Sequence, residues 1–553
     1  MRRLAIVTAY VVVTAIMSWP FVNYDDFGGS SYGGDQRLII WTLAWDNHAL
    51  LSSDSLFASN LFYPATDSLR YNEHLFGVSL FSLPWTIGGA SPVLAHHATW
   101  WLALVLNGLA AFALLYRFVR NGLAAFVGSL AFAYSFYVML HAHGHLHQIW
   151  LWPLPLSLLL LERWFDAPSI RRLALWTAVL LLQILSSWYL AVFALIANAI
   201  FGGLLVAFGE AATRTGTSVR RADPAKRTRL WHLVLATAIG VVCVYPFARH
   251  YVDITSSPAE MSGFTADVEA YVIPPQNTVI GGWWLANIDG RPRSIYGEQA
   301  LFLGWTTLAL ALGGLGVLLR GALVDRRAWL FAALAVAGVL LSFGPSLPLV
   351  GQTPLAPFTW LVALPGLDGV RVAARFAVLA TLGLAGLAAI ACAALIGRLG
   401  STGVIVVAVA APLILFESFV VNFPAGKPDP HPVPAIYRTP QVQAARSLVS
   451  LPEYRARPDW FLGGDYLYYS TAHWRPIVNG FGRTEPAGHE EIVETVRRFP
   501  SSIPAMRELG LQYVVVHADR FPDKAQALLD AALVRSDCRL AARIGSDYLF
   551  EIF

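Results

Sequence analysis

Apolar runs of about 18–25 residues recur along this chain, each long enough to cross the ~30 Å hydrocarbon core of a bilayer. Inside lipid the backbone polar groups of such a run must pair within the segment itself, so the chain is expected to be a polytopic α-helical membrane protein. Runs and breakers give eleven candidate spans, near 4–22, 93–116, 122–140, 148–162, 172–187, 189–208, 231–249, 299–319, 328–348, 376–397 and 402–421. Composition agrees: 56% of residues are hydrophobic and 13% charged, where a soluble chain carries roughly a quarter charged. The first run follows Arg2 and Arg3 as a signal peptide would, yet it is long and has no small-x-small cleavage site; it reads as a retained first span.

Orientation follows from where the cations fall. Arg2 and Arg3, Arg117 and Arg120, Arg163, Arg171 and Arg172, the basic 209–230 loop, Arg320, Arg326 and Arg327, and Arg398 all lie on one side if the span count is right. That side is read as cytoplasmic. The long loops 23–92, 250–298 and 349–375, the shorter 141–147 and everything after about 422 are then extracytoplasmic, where any chemistry belongs. Only three lysines occur, Lys226, Lys427 and Lys524, a usage typical of a GC-rich bacterial genome. Cys243, Cys392 and Cys538 form neither a disulfide framework nor a CxxC motif. The basic residues sit at span ends and carry no nucleic-acid footprint.

After a membrane part covering 1–421 and a Pro-rich linker at 422–434, residues 435–553 read as an extracytoplasmic α/β domain. "TPQVQAARSLVSL", "GHEEIVETVRRFP" and "KAQALLDAAL" suggest helices. "DYLYYS", "RPIVNGF", "LQYVVVHADR" and "DYLFEIF" suggest strands, with parallel pairing expected.

The first outer loop holds Asp25 and Asp26, and then Asp35 after two glycines, at the start of "GGDQRLIIWTLAWDNHALLSS". That segment and "EHLFGVSLFSLPW" (Glu73–Trp85) read as amphipathic helices lying in the membrane plane, with Trp and Leu toward lipid and Asp46 and Asn47 toward water. Asp35 would then stand at headgroup height, either as a helix cap or as a general base for an acceptor hydroxyl; Asp25 and Asp26 are the fallback bases. Four further features suggest a bound anionic substrate. In "HAHGHLHQIW", His141, His143, His145 and His147 would scatter around a helix but share a face on a strand or turn, and a structural or pyrophosphate-contacting role is preferred to a metal site. His145 and His147 are the candidates retained. In "VRVAARF", Arg371 and Arg375 would share a helical face on the outer side, against the charge rule, either holding a lipid phosphate or diphosphate or else paired with Asp368 or snorkelling to the headgroups. Glu298 stands at the mouth of the eighth span, and His74 lies in the second in-plane segment. Trp283 is a candidate for stacking on sugar, with interfacial anchoring the commoner use of such a ring.

The order of first span, acidic outer loop with its Asp, in-plane helix, many spans and a terminal outer domain resembles the GT-C superfamily of membrane glycosyltransferases. "NLFYPATDSLRYNEH" and "LPGLDGVRVAARFAVL" also resemble uncharacterised bacterial proteins grouped near it. "YGGDQ" stands where the protein mannosyltransferase and aminoarabinose transferase type carries an Asp-Glu pair; Gln36 replaces the Glu. The resemblance implies an inverting hexosyl- or pentosyltransferase of the bacterial cell envelope and cytoplasmic membrane. Its donor would be a polyprenyl-phosphate sugar, and its acceptor a glycan, lipid or protein. Asp35 would be the base. No cofactor is certain, no metal ligand is assigned, and a divalent metal is compatible with the chemistry. The alternatives are a flippase or transporter for a lipid-linked substrate, which would want charges inside several spans, and a non-catalytic scaffold.

Overall fold

The computed structural model describes residues 3–19, 34–142, 144–213, 224–253, 261, 263–287, 297–321, 326–347, 351–421, 432–454, 462–482 and 484–553. These form two compact units, one of 1–22 with 100–423 and one of 23–99 with 424–553. The sequence suggested a break near residue 421; the structure also groups the first loop with the tail.

The first unit is helical, and each apolar run assigned to it carries a helix. Among the described residues, four helices are long and apolar enough to cross a membrane: Pro92–Val119, Trp188–Phe208, Arg227–Tyr251 and Ala373–Leu399. The run near 122–140 is divided. Gly122–Ala133 ends, and Phe136–His141 begins again after Ser135, whose hydroxyl accepts from the Val138 N–H. A Ser at this position offers the backbone a cap, which makes a break inexpensive. Asn121 and Ser169 cap helices Gly122–Ala133 and Ile170–Ile184 in the same way, accepting from Ala124 and Arg172.

Helix Ala377–Leu399 lies at the centre of this unit, buried on nearly every face from Ala377 to Cys392. Its neighbours approach backbone to backbone. A Cβ on Gly383 would lie 2.4 Å from the Ala335 nitrogen, and one on Gly314 would lie 1.9 Å from the Leu387 carbonyl oxygen. Small residues permit such contact where lipid supplies no hydrophobic drive between helices. Gly314→Val is therefore expected to abolish a monodisperse elution peak after detergent extraction, because the obstacle is backbone that cannot swing aside.

One set of helix ends carries the charges. Arg117 and Arg327 both reach Glu162, at 2.9 and 3.2 Å, and both reach Asp166, at 3.7 and 2.8 Å. Arg172 donates to the Arg163 carbonyl and Arg229 to that of Phe165. Glu162 is almost fully buried, so neutralising it leaves Arg117 and Arg327 sharing only Asp166. Glu162→Gln is expected to cost about 3 kcal/mol, toward the low end for breaking a buried pair because the arginines keep some solvent. Thermal unfolding in detergent reads this out.

In the second unit, strand Leu448–Leu451 pairs parallel with Tyr513–His517, which pairs antiparallel with Asp547–Ile552, itself antiparallel to Cys538–Ile544. The sheet is thus mixed rather than wholly parallel. Val449, Val514, Val516, Phe550 and Ile552 pack with Val496, Met506 and Leu529 of the covering helices as one core. Two expectations are corrected. "DYLYYS" lies within a helix, Gly463–Ser470, and "TPQVQAARSLVSL" is a single helical turn, Pro440–Gln443, followed by a strand. Tyrosines favour strands only where a pleated neighbour awaits them; here Tyr466 and Tyr469 fill a buried aromatic cluster with Tyr437 and His517 instead.

The first loop is knitted into this unit. Tyr63 donates to the Ile477 carbonyl and Ile477 to that of Asn60, at 2.9 and 2.8 Å. Helix Gly34–Leu51 packs on helices Phe76–Ile87 and Gly463–Ser470. Trp41 and Trp45 are consequently buried, as are Asp46 and Asn47, so this helix does not present the apolar-out, polar-out division expected of it. Arg37 is buried too, ion-paired with Asp465 at 3.5 Å and lying over the Tyr468 ring. Full burial pushes the Asp46 carboxyl well above its ordinary range, against the opposing pull of the Leu75 backbone and the Ser79 hydroxyl. The second helix does divide: Ser79 and Ser82 face inward, where Asn47 donates to Ser82, while Leu80, Trp85 and Ile87 are exposed.

Candidate functional site

In the first unit, side chains from four separate segments converge on Glu298. Gly297, at φ +58°, lets the chain turn immediately before it. Arg375, in the helical turn Ala373–Phe376, donates through Nε to both carboxylate oxygens at 3.1 Å, and its NH2 makes a further short contact. The guanidinium lies over the Tyr189 ring, 4.6 Å from its centre. On the other side, His141 Nε2 approaches a Glu298 oxygen at 3.5 Å and His141 Nδ1 approaches His145 Nδ1 at 3.5 Å. His145 packs edge-on against His147, and Tyr137 lies against His141 with ring centres 4.4 Å apart.

These contacts set the charges. Burial alone would raise the Glu298 carboxyl, but Arg375 outweighs it, with help from His141, and holds the group well below the ordinary carboxylate range. Glu298 is ionised. Burial drives His147 well below the usual imidazole range, and the neighbouring His145 and Arg375 push the same way, so it is neutral. The locus is therefore a desolvated carboxylate–guanidinium pair walled by imidazoles and tyrosines.

Arg371 stands close by in sequence, and its guanidinium packs over a different ring from that of Arg375. Residues 371 and 372 are not helical, so the shared face expected from i, i+4 spacing is not formed. Both of their backbone N–H groups donate to the Tyr189 hydroxyl at 3.3 Å, and the Arg371 guanidinium lies over Phe264. Among the described residues no carboxylate pairs with it. The partner of Arg375 is Glu298 rather than Asp368.

The other candidates separate from this group. Trp283 lies on helix Val279–Asn287 and is 56% exposed. Asp35 and His74 belong to the second unit. Asp35 is exposed in the first turn of helix Gly34–Leu51, while His74 is buried edge-on against Phe57. Asp25, Asp26 and His143 lie outside the described residues. Sequence reasoning passed over His141, preferring the histidines nearer the next span, and missed Tyr137 and Tyr189 entirely. His141 and His145, four residues apart, meet because the helix stops at His141 and the backbone turns before Leu146.

Neither a scan of protein-family models nor a search of curated proteins gives a match. Solved structures do. Mycobacterial arabinofuranosyltransferase AftD aligns over 100% of this chain at 15% identity with a TM-score of 0.57, and its R1389S mutant gives 0.57 and 0.55 in two classes. ArnT from Cupriavidus metallidurans in the apo state aligns over 100% of this chain and 98% of its own, at 15% identity and a TM-score of 0.47. The chain spans about 40% of the length of AftD. Its fold is similar to that of AftD.

Proposed function

We propose that this chain is an integral membrane glycosyltransferase that moves a sugar from a polyprenyl-phosphate donor to an acceptor on the extracytoplasmic face of a bacterial cytoplasmic membrane. The observation that carries the reading is the Glu298–Arg375 pair with Arg371 adjacent, on a GT-C fold. A guanidinium is a planar double donor suited to phosphate oxygens, and a desolvated setting strengthens what it offers to developing charge. In the reaction, a general base takes the proton from the acceptor hydroxyl, and the oxygen attacks the anomeric carbon from the face opposite the phosphate. The bond from carbon to phosphate oxygen breaks with inversion, and polyprenyl phosphate leaves with its charge held by Arg371 and Arg375. His145 and His147 shape the wall beside that phosphate.

The test is transfer of labelled sugar from a panel of polyprenyl-phosphate sugars, in membranes with and without the chain. Transfer that requires the chain and falls about a hundredfold in Arg371→Ala supports the reading, that factor being typical of one lost donor to developing charge. Chain-dependent transfer that is untouched by Arg371→Ala removes that residue from the site.

A further inference from the structure

His141, His145 and Glu298 can each present one donor atom such that all three lie within 4.8 Å of one another. Two imidazoles and a carboxylate are a ligand set for zinc, cobalt or manganese rather than for magnesium or calcium. Ligands about 2.1 Å from an ion stand about 3.4 Å apart in a tetrahedron, so the trio needs to close by little more than an ångström. The obstacle is charge. Glu298 already balances Arg375, and a divalent ion would leave two uncompensated positive charges in a buried place. A phosphate monoester brings about two negative charges. We propose that His141, His145 and Glu298 form a transition-metal site that fills together with a phosphate, the ion taking the carboxylate while Arg375 turns from Glu298 to the phosphate oxygens.

The inference rests on the proposed function only in taking the anion to be a polyprenyl phosphate. Linkage makes the effect reciprocal: each ligand must tighten the other by the same factor. Co²⁺ is the probe, because its visible absorption reports its coordination, and farnesyl phosphate is the anion, both applied to the detergent-solubilised full-length chain. One Co²⁺ per chain is expected, bound at least tenfold more tightly with farnesyl phosphate than without it, and farnesyl phosphate tightened equally by Co²⁺. His141→Ala and His145→Asn should each weaken Co²⁺ at least tenfold while leaving the unfolding temperature within a few degrees. Absence of Co²⁺ binding in the presence of farnesyl phosphate overturns the site, as does binding that survives both substitutions. Equal Co²⁺ affinity with and without the phosphate overturns the coupling. Full sugar transfer in chelator-treated membranes would sink the metal site and leave the transferase standing, whereas metal–phosphate coupling in a chain that transfers no sugar would do the reverse.

Discussion

Asp35→Asn is expected to lower sugar transfer by about 10²–10⁴-fold, the range for removing a general base, with the fold intact. Asparagine keeps the shape and still accepts hydrogen bonds, but it cannot take a proton from the acceptor. Asp35 is exposed in the first turn of its helix, where a carboxylate meets the positive end of the helix dipole. That is worth about 0.3–1 kcal/mol at an exposed site. A steady-state transfer assay and an unfolding curve on the same preparation therefore separate the two roles. Lost transfer with a nearly unchanged unfolding temperature identifies the base; retained transfer makes Asp35 a helix-end residue and moves the search to Asp25 and Asp26.

Arg375→Ala should reduce transfer by about 10²–10³-fold, as for loss of one donor to a developing oxyanion, and should also invert a pH dependence. In the native protein the Glu298 carboxyl sits below its unfolded value because Arg375 outweighs burial. Such a group stabilises the fold above the unfolded pKa of about 4.3, and that contribution is lost as pH falls through the folded value. Without the guanidinium, burial prevails and the folded value rises above the unfolded one. The group then favours the folded state at low pH and opposes it progressively as pH climbs past about 4.3. Unfolding temperatures between pH 4 and 8 should thus hold steady or rise with pH in the native chain and fall with pH in the variant. Parallel curves would mean that Glu298 finds another cation when Arg375 is gone. Arg375→Lys keeps the charge without the two-pronged geometry, and is expected to restore the slope but not the transfer.

How much of this was legible differs sharply between the two units. Helices in the first unit follow from apolar runs and from caps such as Asn121 and Ser169, since both are local properties. The exception near Tyr134 is also local, and Ser135 was its available signal. For the site, Glu298, His145, His147 and Arg375 were all picked out singly. Arg375 drew notice because an arginine lay on the side where few are expected; Glu298 was not among the partners considered for it, because Asp368 is near in sequence and Glu298 is 77 residues away. Helix Gly34–Leu51 shows the opposite failure. Its pattern looked interfacial, but burial on several sides by Phe76–Ile87 and Gly463–Ser470 leaves it no single face, and this no pattern within 18 residues could reveal.

The sequence by itself determined that this chain is built of apolar helices with a small α/β tail, because hydropathy and capping act over a few turns of backbone. Only the tertiary structure decided that the first loop belongs with the tail and that a buried carboxylate is shared between an arginine and a histidine from distant segments. Long-range pairing of that kind is fixed by which desolvated charges find compensation, and compensation is a property of neighbours in space.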